Sequence, residues 1–95
     1  MEGIVGILWY NELDYPKLFS VFEDAKLPDS FDEWINDAKD NEEHFRQRGF
    51  EVFRIEFVSE KFIAWCKREQ LRPNAYARKR YAAIMAARAV ENPKQ

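Results

Sequence analysis

Residues Gly3 to Tyr10 form a run of Ile, Val, Leu and aromatic side chains that stops at the turn-prone sequence Asn11-Glu12-Leu13-Asp14. The run is too short for a typical helix, and its β-branched and aromatic content reads as a strand. Successive side chains of a strand point to opposite faces, so this one carries apolar groups on both. Covering one face leaves apolar residues over for the second.

The segments that follow supply helices. Asp14 is positioned to cap a helix with Pro16 in its first turn, and Tyr15, Leu18, Phe19, Phe22 and Ala25 cluster on one side at helical spacing up to Pro28. Ser30 followed by Glu33 has the form of a capping box, and Phe31, Trp34, Ile35, Ala38 and Phe45 form the apolar stripe of a second helix that Gly49 stops. Phe50 to Val58 alternates as a strand, with Phe53, Ile55 and Phe57 on one face and Val52, Arg54 and Glu56 on the other. Ser59 is placed to cap a third helix through about Gln70, with Phe62, Ile63, Trp65 and Cys66 inward. Arg72-Pro73-Asn74 breaks it before an Ala-rich last helix that reaches about Val90.

Each half therefore reads strand, helix, helix, and short joints between consecutive elements imply up, down, up, with the second strand returning down beside the first. The expected fold is α+β: an antiparallel two-stranded sheet covered by about four helices, one domain over 1–90, and a frayed tail over 91–95. A two-stranded sheet is marginal alone and leaves unpaired edges. Pairing with a second copy would satisfy the edges and the spare apolar face, so a homodimer is expected.

Charge is sorted along the chain. Residues 1–45 hold twelve Asp or Glu and three Lys, residues 46–95 five Glu and twelve Lys or Arg, so local balances of −9 and +7 sum to the net −2. Either the basic half serves an anionic partner or the halves neutralise each other on folding. Asp32, Glu33, Asp37, Asp40 and Glu43 fall opposite the apolar stripe of the second helix, an ordinary solvated face. Arg78, Lys79, Arg80 and Arg88 scatter around the last helix instead of forming one basic stripe. Only the bend carrying Lys67, Arg68, Arg72 and Lys79 remains as a candidate anion or nucleic-acid contact. Tyr76 beside it is expected to pack rather than stack on a base.

Chemistry has few bearers. Cys66 and His44 are the only residues of their types. Cys66 shares an inward face with Phe62 and reads as a small inert hydrophobe, while His44 borders the polar face and is expected to be solvent-exposed. Asp40 and His44 have a chelating i, i+4 spacing but no third ligand. Exposed acids lack the burial that tunes a carboxylate for acid–base work. Gly3, Gly6 and Gly49 do not form a phosphate-cradling loop. No catalytic residue, cofactor or metal is therefore expected. Trp9 and Tyr10, large amphipathic rings at the end of the first strand, are the candidate protein interface.

Leu27-Pro28-Asp29-Ser30-Phe31-Asp32-Glu33-Trp34, Arg48-Gly49, Phe62-Ile63-Ala64-Trp65-Cys66, and Ala77-Arg78 with Tyr81-Ala82-Ala83 resemble a group of small bacterial proteins of about this size, over roughly residues 15–83. The resemblance implies a bacterial cytosolic origin and adds no site. The single Cys fits a reducing compartment, and the apolar run is far shorter than a membrane span. A non-enzymatic cytoplasmic protein-interaction module is thus the leading expectation, with nucleic-acid binding through the basic bend as the alternative.

Overall fold

The computed structural model describes residues 3–24 and 26–91. The elements are β1 (Ile4–Trp9), a 3-10 turn (Tyr15–Lys17) running into the four-residue α1 (Leu18–Val21), α2 (Phe31–Gln47), β2 (Glu51–Glu56), α3 (Ser59–Glu69) and α4 (Ala75–Glu91). The expected Ala25 contact and residues 92–95 of the expected tail lie outside the described residues; Glu91 is still helical.

β1 and β2 pair in parallel, Ile4 opposite Glu51 and Trp9 opposite Glu56, which corrects the antiparallel pair expected from the sequence. The cause is the first helix. Its apolar spacing is satisfied by one 3-10 turn and four α-helical residues, after which Phe22 is extended with ψ 128°. That segment is too short to carry the chain back along the sheet. Only α2 makes the return traverse, so the chain reverses direction twice, into α2 and again into β2, and β2 runs alongside β1 in the same sense.

Residues paired in this register share a face. Ile4, Gly6 and Leu8 lie with Glu51, Phe53 and Ile55, while Val5, Ile7 and Trp9 lie with Val52, Arg54 and Glu56. α4 covers the first face. A Cβ on Gly6 would stand 2.4 Å from the Ala82 carbonyl oxygen and 2.9 Å from Ala86 Cβ, so glycine is what lets helix and strand meet. α2 covers the second, with Trp34 edge-on to Trp9 at 5.4 Å. The spare apolar face of β1 is thus covered within the chain, giving three layers, helix on sheet on helix.

One aromatic cluster joins the layers beyond the ends of the strands. Tyr10 packs on Trp34, Phe22 and Phe57 at 4.8–5.9 Å, and Phe62 continues the contact to Phe57, Trp65 and Tyr81. Each such pair adds about 0.5–1.5 kcal/mol beyond its area burial.

Local signals decide the helix ends. The Ser30 hydroxyl accepts from the Glu33 N–H at 3.1 Å, and Gly49 takes φ 93° after α2, both as the sequence predicts. Asp14 and Ser59 do not cap with their side chains; Asp14 instead closes a loop with Asn11, and Ser59 is the first residue of α3. α4 is capped from two directions, with Asn74 accepting from Ala77 N–H at 3.1 Å and Asp24 from Ala75 N–H at 3.0 Å.

Candidate functional site

The charge halves meet inside the molecule. Glu23 holds Arg72, Asp24 holds Arg78 through its two terminal guanidinium nitrogens at 2.8 and 3.2 Å, and Glu42 holds Arg54 at 2.6 and 2.8 Å. The Glu23 N–H also donates to the Pro73 carbonyl at 2.8 Å, which ties the loop after α1 to the bend between α3 and α4. The basic bend is therefore partly neutralised by acids from the first half. Lys67 and Arg68 sit exposed in the last turn of α3 and Lys79 exposed on α4, and among the described residues none of the three forms an ion pair. Tyr76 does not pack as expected: it is 59% exposed, with the Arg80 guanidinium 5.9 Å from its ring centroid.

Glu42 is the acid of α2 that does not join the solvated face. It is buried, and the hydrogen bond from Arg54 holds its carboxyl below the usual carboxylate range against the opposing effect of burial. Arg46 adds a second, longer contact at 3.4 Å. Arg54 in turn lies 4.0 Å from the Trp9 ring centroid. Glu42 lies four residues after the inward Ala38, which was the available signal for its inward direction. Asp32, Glu33, Asp37, Asp40 and Glu43 are exposed as the helical period requires.

The remaining chemical groups are placed as follows. Cys66 is buried and burial pushes its thiol up, away from the reactive thiolate. His44 and Asp40 are exposed, and among the described residues no group of three His, Cys, Asp or Glu side chains converges on a metal position. Tyr10 belongs to the core, where burial pushes its phenol up to about 12. Trp9 is half-buried between Trp34 and Arg54.

A groove of about 710 Å³ opens along the side of β1 that faces away from β2. Its floor is the strand, one wall is α2 with Trp34, Ala38 and Phe45, and the other is α4 with Ala82, Ala83 and Ala86. Asp37 stands on the α2 wall, Lys79 on the α4 wall, and Lys26 in the loop at one end.

The floor is chemically specific. Gly3 C=O accepts from Glu51 N–H at 2.9 Å and Trp9 C=O from Phe57 N–H at 3.1 Å. Backbone polar groups alternate sides along a strand, so the odd-numbered residues of β1 face β2, and Ile4, Gly6 and Leu8 turn theirs into the groove. No hydrogen bond among the described residues reaches those outward groups. An unpaired edge is expected from the sequence but the groove is not, because its walls come from two helices separated along the chain by β2 and α3.

Comparison with protein-family models, with curated proteins and with solved structures gives no match. Among the described residues no helix is long and apolar enough to cross a membrane.

Proposed function

We propose that this chain is a non-enzymatic protein-interaction module of the cytoplasm whose contact surface is the groove between α2 and α4. The observation that carries the reading is the free edge of β1 lying at the bottom of an apolar slot. Such an edge offers unpaired backbone donors and acceptors, and the aromatic and Ala-lined walls offer apolar area, the two ingredients of polypeptide recognition. Cytoplasmic placement is supported by the use of a single Cys, Cys66, which is buried. A second copy is one partner of this class. Nucleic-acid binding through Lys67, Arg68, Arg72 and Lys79 has less support, since Glu23 occupies Arg72.

The test uses Ala83→Arg, which puts a long charge on an exposed position of the groove wall. Random peptides selected against the native chain should lose binding to this variant, with the fold of both proteins checked by circular dichroism. A chain that stays monomeric by light scattering at high micromolar concentration and selects no such peptides does not act through this surface.

A further inference from the structure

We propose that the groove takes an extended segment of a separate polypeptide as a third strand, hydrogen-bonded to the outer edge of β1 between α2 and α4. The proposal rests on the protein-interaction reading and names the occupant of its surface.

The backbone of β1 sets the chemistry of the occupant. The N–H and C=O groups of Ile4, Gly6 and Leu8 recur every second residue, a spacing of about 7 Å. A chain of peptide groups in extended conformation repeats at that spacing. An apolar small molecule would cover the same groups without pairing them, which buried backbone does not tolerate. The two edges of the sheet are also unequal. β2 carries Glu51, Arg54 and Glu56, all exposed charges of the kind that discourage strand addition, whereas Ile4 to Trp9 has no charge at all.

The walls set the sequence of the occupant. Side chains of an added strand point alternately toward α2 and α4. Both walls are apolar around the floor, so the segment is apolar on both faces. Asp37 on the α2 wall and Lys79 on the α4 wall call for a basic residue pointing to α2 and an acidic residue pointing to α4.

The same charges argue against a second copy as the occupant. Antiparallel pairing of two β1 edges about a twofold axis places α2 beside α2 and α4 beside α4, so a second copy adds a like charge to each wall, acid on the Asp37 side and base on the Lys79 side, instead of the opposite one. A foreign strand with alternating charge meets no such repulsion.

The probes are peptides of about eight residues selected from a random library against the native chain, then resynthesised in two N-methylated forms. In one form every odd amide is methylated, in the other every even amide. Edge pairing predicts that one form loses affinity by about tenfold or more while the other does not, because only alternate amides face β1. It also predicts that bound peptide slows hydrogen exchange at the Gly6 and Leu8 amides. Lys79→Glu should weaken peptides that carry an acidic residue and restore binding when that residue is changed to Lys.

Equal loss in both methylated forms, with no protection of Gly6 and Leu8, overturns the third strand. It leaves the interaction reading standing if Ala83→Arg still abolishes binding. Protection of Gly6 and Leu8 that rises with protein concentration in the absence of peptide overturns the separate partner in favour of a second copy. Failure of the native chain to select any peptide or to self-associate overturns both.

Discussion

Two backbone positions set limits that their side chains do not advertise. Gly6 lies in the interior of a strand, where glycine is unfavourable by propensity, yet its missing Cβ is what admits Ala82 and Ala86 of α4. Gly6→Ala presses a methyl group against a backbone carbonyl, which no rotamer change relieves. The expected cost is about 1–3 kcal/mol, seen as a lower denaturation midpoint at an unchanged slope. Gln70 is the opposite case. It ends α3 in the left-handed region at φ 59°, with the Leu71 N–H returning to the Cys66 carbonyl at 2.8 Å, a position at which glycine is preferred. Gln70→Gly should therefore stabilise the fold by about 0.5–1 kcal/mol, read as a rise of a few degrees in Tm. An unchanged or lower Tm removes the claim that the cap is strained.

At the level of elements, the sequence carried burial better than direction. The stripe of α2, the capping role of Ser30, the stop at Gly49 and the inward Phe62 and Cys66 are all visible as spacing, because a face is a local property of a regular helix. Tyr15, Leu18 and Phe22 also point inward as their spacing suggests, but two short turns satisfy that spacing as well as a long helix does. The number of traverses, and hence the sense of β2, depends on helix length, which apolar spacing does not encode. The groove was illegible for a related reason: it is the gap between two layers, not a motif. What fixes the start of the α4 wall is Asp24, which accepts from Ala75 N–H and clamps Arg78 while Arg78 covers the Phe22 ring at 4.5 Å. Asp24→Ala removes a cap and leaves a partly buried guanidinium unpaired. A loss of about 1–2 kcal/mol is expected, with faster hydrogen exchange confined to the first turns of α4. Loss spread evenly over all helices would show that the clamp is not local.

For the whole molecule, the sorted charges act as an internal seam. Glu23 and Asp24 join the loop after α1 to the bend before α4, and Glu42 joins α2 to β2, so the acidic half and the basic half are held against each other. Exposed pairs of this kind contribute little, and Arg72 with Glu23 belongs among them. Glu42 is different because its carboxylate is buried between Arg54 and Arg46. Asp24 and Glu42 both titrate below their ordinary range when folded, chiefly through their arginine hydrogen bonds. The unfolded chain then binds more protons than the folded one in acid. Their contribution is complete above the ordinary carboxylate values and is lost as pH falls through the depressed folded ones, that is, below about pH 4. Glu42→Gln keeps the shape and removes the charge, so it should cost about 1–3 kcal/mol at neutral pH. That deficit should shrink as the native carboxyl itself becomes protonated. Urea denaturation of both proteins between pH 7 and pH 3 decides the matter, since a deficit that stays constant over the range means that Glu42 stabilises through shape and not through charge.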